Sequence, residues 1–398
     1  MTRNIALYPW YKFLHSLIFW QAAWFLYLQS ELSAAEAILM YAIYDVATTA
    51  LEVPSGWLSD NWGRRRTLIL SALAGLATAA MQAMGGDFLW FAAAQLLLGI
   101  HAAFASGTDT ALLYESLAAE DRTDEVERQE LRGWRAGFTA LALSAISGGL
   151  LARFDLTWPY FATSVAMAGL LVVTLAFRDP PPRKVSATFR LTSLKTALTR
   201  PILAWLFALT VLMYAFSHVP FVFGQPFILQ ALDGTGFASE TPLVSGAVTA
   251  AMMTVSLGVS LLAPGLRARI GLTAMLLLAF ALQIALPGTL ALVTGPLAIL
   301  LLLSRMVPDA LARPFVLARI QPLLSDESRA TYLSLQSLIG RLLFAGTLWL
   351  AADATTEVGL MPEADIRRVL GWYAVGGLLC LMGLAAATIR LHIDDRGN

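Results

Sequence analysis

The chain has 398 residues, of which 58% are apolar and only 14% are charged, and its formal net charge is zero. A soluble protein of this length carries more charged residues, so the composition indicates a membrane protein. The neutral charge balance argues against a nucleic-acid partner, and the single cysteine excludes an intramolecular disulfide.

Apolar stretches that are long enough to cross a bilayer as helices recur along the whole chain. Twelve spans are predicted, near residues 11–29, 37–58, 67–86, 88–114, 133–152, 158–177, 202–230, 243–264, 271–291, 295–318, 330–352 and 369–390. The predicted fold is therefore an all-α membrane protein with twelve transmembrane helices.

Basic residues are distributed unevenly among the predicted loops. With an even number of spans both termini lie on one side, and the loops on that side hold most of the Lys and Arg residues. The opposite loops hold only Arg153, Arg367 and Arg368. The positive-inside rule therefore predicts cytoplasmic termini, in a multi-pass protein of the bacterial inner membrane.

The longest basic polar stretch lies between spans 6 and 7 and contains three consecutive prolines, which cannot continue a helix. It predicts a division into an N-terminal six-helix bundle (residues 1–178), a cytoplasmic linker (179–200) and a C-terminal six-helix bundle (201–398).

A charged segment, "SGWLSDNWGRRR", joins spans 2 and 3. Its glycines permit a tight turn, and Asp60 is expected to accept hydrogen bonds from the backbone N–H groups that begin the next helix. Such a segment could latch two bundles together in one state and release them in another. A purely topogenic role of the arginines is the alternative.

The spacing of this segment resembles the loop 2–3 motif of the major facilitator superfamily. The matching positions are Gly56, Leu58, Asp60, Gly63, Arg64 and Arg65. The turn after span 8, "PGLRARIGL", keeps Leu266 and Gly271 but has Ala268 in place of the aspartate, as an internal duplication would leave it. The resemblance covers essentially the whole chain. It implies two pseudo-symmetric bundles that rock about a central site, with spans 1, 4, 7 and 10 lining a cavity.

Ionisable residues inside spans are costly and are therefore expected to be paired, hydrated or functional. The candidates for proton coupling are Asp45, Glu52, His101, Asp109 and Asp309. Asp45 and Glu52 are two helical turns apart and so share a face of span 2. A structural role in helix packing is the alternative for each of these residues.

Span 10 carries Arg305, Asp309 and Arg313 at intervals of four, which predicts one helix face, and Arg341 lies on span 11. These arginines are candidates for binding an anionic group of the substrate, or else partners of buried acids. Polar and aromatic residues of the cavity spans complete the predicted substrate site: His15, Gln21, Trp24, His218 and Gln225.

These features predict a secondary active transporter of a small organic solute, coupled to protons, with efflux of drug-like or amphiphilic compounds as the first interpretation. Drug-exporting members carry an arginine where this chain has Gln95, and a Gly-Pro pair where it has Ser144 and Ala145. Uptake of a polar or anionic metabolite is therefore kept as the alternative.

A membrane-embedded enzyme or a receptor fits the sequence less well. No metal spacing, nucleophile motif or phosphate-binding loop is found, so we predict no enzyme activity, no metal and no cofactor. The expected partners are the substrate, the proton and the bilayer, and the protein is expected to be a monomer.

Overall fold

The structure is a computed structural model that describes residues 1–32, 34–180, 199–232, 241–293, 300–324, 329–353 and 363–391. Every regular element within those ranges is helical. The helices from the first part of the chain are α1 (Thr2–His15), α2 (Trp24–Glu31), α3 (Ala34–Trp62), α4 (Arg64–Ala83), α5 (Phe88–Ala105), α6 (Thr108–Ala118), α7 (Val126–Ala152) and α8 (Trp158–Ala176).

The later helices are α9 (Pro201–Leu232), α10 (Thr241–Ile270), α11 (Leu272–Leu290), α12 (Val307–Ile320), α13 (Arg329–Asp353) and α14 (Glu363–Thr388). Short 3-10 segments cover Phe19–Ala22, Thr123–Glu125 and Gln321–Leu323. Each of the twelve predicted spans overlaps at least one of these helices.

Seven helical stretches among the described residues are long and apolar enough to cross a membrane. They are Arg64–Ala83, Phe88–Ala118, Thr123–Ala152, Trp158–Ala176, Leu243–Ile270, Leu272–Leu290 and Arg367–Thr388. Many large apolar side chains along these stretches are exposed, including Val165 and Leu262, which are 74% and 73% exposed. Such surfaces are expected where lipid is the solvent. The prediction of an all-α membrane protein is confirmed.

The first predicted span is not one continuous helix, and on this point the sequence prediction was wrong. Helix α1 starts at Thr2 and ends at His15, and the chain then runs through an extended Ile18 (φ −106°, ψ 83°) before the 3-10 segment and α2. The Phe19 N–H donates to the Thr163 hydroxyl of α8 at 3.1 Å. A backbone group released by the break is therefore satisfied by a neighbouring helix.

The Cα positions divide the chain into two compact units. The first takes in the described residues of 1–195, 240–254 and 317–338, and the second those of 196–239, 255–316 and 339–398. The predicted division at the linker stays a prediction, because residues 181–198 lie outside the described part of the chain.

In the first unit α4 packs against α5 and α8, α3 packs against α5, and α1 packs against α7. One of its cores joins Tyr11, Leu68, Leu112 and Leu170. In the second unit α11 packs against α9 and α14. There the Phe216 ring makes edge-to-face contacts with the rings of Phe280 and Tyr373, at centroid distances of 5.6 and 5.9 Å.

Candidate functional site

Two single glycines connect consecutive helices in the same way. Gly63 joins α3 to α4 with φ 112° and ψ 145°, and Gly271 joins α10 to α11 with φ 83° and ψ 166°. Both φ values lie in the region that side chains other than glycine rarely adopt. The same backbone turn therefore occurs both in the loop 2–3 motif and in the turn after span 8, where the motif is only partly present.

Asp60 connects the end of α3 to the start of α13. One carboxylate oxygen is paired with the Arg64 guanidinium. The other, Oδ2, accepts hydrogen bonds from the Thr331 hydroxyl at 2.6 Å and from the Thr331 N–H at 3.3 Å. The Asp60 and Arg64 side chains are only 2% and 5% exposed, so this pair is shielded from water.

The expectation that Asp60 caps the next helix was wrong. The N–H of Arg65, in the first turn of α4, donates to Asp179 Oδ1 at 2.8 Å. Asp60 instead accepts from the first turn of α13. Its other oxygen, Oδ1, is engaged in the ion pair with Arg64.

Arg64 extends the network to α6. Its Nη2 donates to Glu115 Oε1 at 2.7 Å, and its Nε lies 3.2 Å from both oxygens of that carboxylate. Arg329 Nη1 lies 3.5 Å from the same Glu115 oxygen. Two carboxylates thus balance two guanidinium groups. We name Asp60, Arg64, Glu115, Arg329 and Thr331 the latch cluster.

Arg329 is 2% exposed and is held by more than its acid. Its Nη2 donates to the carbonyls of Leu324 at 3.1 Å and Gln321 at 3.3 Å. Its guanidinium carbon lies 4.1 Å from the ring centroid of Tyr114. Stacking, hydrogen bonds and an ion pair together satisfy a charge buried at this depth.

The other motif residues have simpler environments. Gly56 is buried within α3, and Leu58 is half-buried one helical turn before α3 ends at Trp62. Arg65 donates from Nη2 to the Leu175 carbonyl of α8 at 2.9 Å.

Sequence reasoning missed Glu115 and Arg329. The predicted spans ended at residue 114 and began at 330, which left both residues in loops. The helical run "TDTALLYESLA" continues through Glu115, and an apolar run that continues on both sides of an acid is the signal that could have placed it in a helix.

A second polar cluster lies between α1, α6 and α7. Lys12 Nζ lies 2.5 Å from Asp109 Oδ2. Tyr8 donates from its hydroxyl to Glu130 Oε2 at 3.1 Å. The sequence analysis identified Asp109 but neither Lys12 nor Glu130. It placed Glu130 outside span 5, whereas α7 begins at Val126.

The two N-terminal histidines are brought together. The rings of His15 and His101 are stacked with their centroids 4.9 Å apart. His101 Nδ1 lies 2.9 Å from the Ser71 carbonyl oxygen. His101 is 7% exposed and therefore belongs to the interior of its unit.

The acids of α3 differ in burial. Glu52 is 1% exposed, and its Oε1 accepts from the Ser337 hydroxyl of α13 at 2.7 Å. Asp45 is half-buried two turns earlier on the same helix. The structure therefore brings Glu52, like Asp60, to α13.

The predicted helix face of span 10 was wrong in part. Arg305 lies in the turn before α12, which begins at Val307, so only Asp309 and Arg313 share that helix. Their closest charged atoms are 3.9 Å apart, and Arg313 is 44% exposed. On α13, the guanidinium carbon of Arg341 lies 5.6 Å from the ring centroid of Tyr214.

The remaining substrate candidates are dispersed. Gln21 is half-buried in the 3-10 segment, and Trp24 packs against the core that contains Tyr27 and Tyr160. The side chains of His218 and Gln225 lie outside the described residues.

An apolar cavity of about 440 Å³ lies within the second unit, among α9, α13 and α14, and it is open to the surface beside Trp372, which is 71% exposed. Phe216, Leu343, Trp372 and Tyr373 line it. One of its polar groups is Thr347, whose hydroxyl accepts a hydrogen bond from Tyr373 at 2.8 Å. Its size is within the range of small-molecule sites. Among the described residues no group of three His, Cys, Asp or Glu could hold a metal ion.

Comparisons with known proteins define the class. The family model of the Major Facilitator Superfamily matches residues 13–347. A search of curated proteins finds no match. Among solved structures, the human organic anion transporter MFSD10 (TETRAN) matches with a TM-score of 0.70 at 15% identity, over 96% of this chain and 99% of that one.

Two further structures match over nearly their whole length. A bacterial homologue of the iron transporter ferroportin, in an outward-facing state, matches with a TM-score of 0.68 at 16% identity, over 97% of this chain and 100% of that one. The nucleoside transporter NupG matches with a TM-score of 0.65 at 16% identity, over 97% and 98%. At these identities the likeness shows the fold.

The fold and the family match together define a membrane transporter rather than an enzyme. The chain belongs to the Major Facilitator Superfamily, and it is an integral multi-pass membrane protein with a small-molecule substrate.

Proposed function

We propose that this protein is a proton-coupled secondary transporter of the bacterial inner membrane that exports amphiphilic organic solutes by alternating access, with both termini in the cytoplasm. The observation that carries this proposal is the latch cluster. It joins residues of α3, α4 and α6 to the first turn of α13, more than 200 positions away in the sequence.

The latch cluster suits a contact that forms and breaks. When α13 leaves, Asp60 and Glu115 keep Arg64, and Arg329 keeps the Leu324 and Gln321 carbonyls. One net negative charge then remains beside α3, α4 and α6, and one positive charge on α13. The contact is therefore favourable when closed, and its release requires water to reach both charges. With cytoplasmic termini this contact closes the cytoplasmic side, and its release opens that side to the solute.

The cavity of the second unit supports an amphiphilic substrate. Its walls are almost entirely apolar and include Phe216 and Trp372, while Thr347 and Tyr373 offer hydroxyl groups. Apolar walls with a few placed polar groups are typical of sites for organic molecules. The three structural relatives are named as transporters of nucleosides and organic anions and as a homologue of an iron transporter. At identities of 15–16%, none of these substrates can be assigned to this chain.

Flux measurements test this function. The purified protein is placed in proteoliposomes, a proton gradient is imposed, and uptake of cationic amphiphiles, organic anions and nucleosides is compared with that of protein-free vesicles. We expect accumulation of an amphiphilic cation that an uncoupler abolishes. Equal flux with and without the gradient would refute proton coupling, and accumulation of nucleosides alone would refute the amphiphile as substrate.

Uptake of an anionic solute is the second candidate, favoured by Arg341. A guanidinium that lies over the Tyr214 ring within a span can offer its donors to a carboxylate. If Arg341 binds substrate, Arg341→Lys keeps the charge but loses the planar fork, and substrate-induced thermal stabilisation by organic anions should fall. Unchanged stabilisation by an anion that is transported would exclude this role.

A further inference from the structure

Lys12 lies near two buried carboxyl groups but pairs with only one of them. Its Nζ is 2.5 Å from Asp109 Oδ2 on α6. Glu130, on α7, is 0% exposed, and both Lys12 and Asp109 act on it electrostatically. One cation is thus shared by two acids in an interior where water does not screen their charges.

Asp109 has the environment of an ionised carboxylate. Besides Lys12, its Oδ1 accepts from the Thr110 N–H at 2.7 Å. It also lies in the first turn of α6, where the aligned peptide dipoles favour negative charge. Three separate features therefore stabilise its anionic form.

Glu130 has the environment of a neutral carboxyl. Its Oε2 accepts only from the uncharged Tyr8 hydroxyl, at 3.1 Å, and its Oε1 has no hydrogen-bond partner among the described residues. An ionised carboxylate buried in this way costs several kcal/mol unless a cation compensates it. With Lys12 committed to Asp109, the protonated form of Glu130 is the favoured one.

Few other ionisable groups face Glu130 from the elements that pack on α7. Helix α1 contributes Tyr8 and Lys12, and α6 contributes Asp109. The 3-10 segment before α7 carries Asp124, which is exposed, and Glu125, which is paired with Arg122 and Arg128. The described titratable residue of α8, Tyr160, stacks instead on Tyr27 and Trp20.

Lys12 is placed where it could reach either acid. Its Nζ lies 5.6 Å from the ring centroid of Tyr8, the residue that donates to Glu130. Gly133 lies one turn after Glu130, and a Cβ there would be 2.7 Å from the Tyr8 ring and 3.1 Å from Lys12 Cγ. Both side chains therefore occupy space that the glycine leaves open beside Glu130.

We propose that Glu130 is the proton-binding residue of this transporter and that Lys12 moves from Asp109 to a position between the two carboxylates when Glu130 releases its proton. The proton passes from the Glu130 carboxyl to water, and the ammonium of Lys12 is then shared by two carboxylates, which leaves the cluster with one net negative charge. No other group is oxidised, reduced or transferred. The meaning of this site for transport rests on the proposed proton coupling, but its protonation can be measured separately.

Infrared difference spectroscopy of the purified full-length protein tests the site without a substrate. Titration from neutral to alkaline pH is expected to remove the carbonyl stretching band of one protonated carboxyl. The band should be absent from Glu130→Gln and shifted in frequency in Glu130→Asp. Asp124→Asn, which removes an exposed carboxylate six residues away, is the matched control and should keep the band.

Lys12→Met gives an independent result. Without the lysine, no ammonium can approach Glu130 when it releases its proton, so the Glu130 band should persist to higher pH than in the wild type. The assignment to Glu130 is overturned if the band is unchanged in Glu130→Gln. If Glu130→Gln fails to fold, the assignment is overturned when Glu130→Asp does not shift the band. A Glu130 band that disappears at the same pH in Lys12→Met as in the wild type overturns the role of Lys12. If the band is assigned to Glu130 but solute flux does not depend on the proton gradient, Glu130 is a proton-binding residue and the proposed coupling of transport to protons is wrong.

Discussion

The carbonyl oxygen of Phe19 lies against Gly148 of α7, where a Cβ atom would be only 1.9 Å from that oxygen. The break between α1 and α2 is thus packed onto α7 at a position that admits no side chain. The break and the glycine depend on each other, since a continuous α1 would not direct a free carbonyl towards α7.

Gly148→Ala should therefore destabilise the protein. An added methyl group at this distance must displace backbone rather than a flexible side chain, and overpacking of this kind costs about 1–3 kcal/mol. The melting temperature of the purified protein measures the effect. Gly258→Ala in α10, where nothing lies within 4 Å of the added Cβ, is the control and should be neutral or stabilising. Equal melting temperatures for the two variants would contradict the packing argument.

Thr331→Val should weaken the latch cluster without changing any charge. Valine has the shape of threonine, but its side chain cannot donate to Asp60 Oδ2, and a hydrogen bond to a charged group contributes about 1.5–3 kcal/mol. We expect altered solute flux and a modest fall in melting temperature. Thr254→Val, which removes only a hydrogen bond to the Ala250 carbonyl within α10, should leave flux unchanged. Wild-type flux in Thr331→Val would argue that Asp60 and Thr331 do not separate during transport.

Arg329→Lys should lower stability although it preserves the positive charge. A lysine cannot stack on Tyr114 and donate to the Leu324 carbonyl and Glu115 at the same time. We expect a clear fall in melting temperature, whereas Arg66→Lys, at an exposed position of α4, should have none. A lysine variant as stable as the wild type would show that the planar geometry at residue 329 is dispensable.

Asp155, in the connection between α7 and α8, should give the protein an acid-sensitive contribution to stability. Hydrogen bonds from the Thr157 N–H at 2.8 Å and the Thr157 hydroxyl at 2.7 Å lower the pKa of this carboxyl below its ordinary value of 3.8. The contribution is therefore fully present above that value and is lost as the pH falls through the lowered pKa. The difference in melting temperature between wild type and Asp155→Asn should shrink on acidification. A difference that is constant with pH would exclude this origin.

The helices and the glycine turns could be predicted from the sequence because their causes are local. An apolar run of about 20 residues in lipid must satisfy its own backbone as a helix. A glycine between two such runs marks a turn, as Gly63 and Gly271 do. The break after His15 could not be predicted in this way, since the segment "SLIFWQAA" contains neither proline nor glycine.

The partners of the charged residues could be predicted only in part. Asp60 and Thr331 are 271 positions apart, and Glu115 and Arg329 are 214 apart, so no spacing along the chain relates them. Which acid pairs with which base depends on how whole helices pack. The sequence also placed Arg305 on a helix that begins only at Val307, because its interval of four residues from Asp309 imitates a helical repeat.

The one-residue junction at Gly63 has a mechanical consequence. Two long helices, α3 and α4, meet through a single pair of backbone torsions, and the carboxylate of Asp179 lies against that glycine while it holds the Arg65 N–H. A longer loop would absorb a rotation of one helix before the other felt it. Here a single residue connects the two helices, so a tilt of α3 at Asp60 changes the orientation of α4 directly. The rotation takes place about the backbone torsions of Gly63.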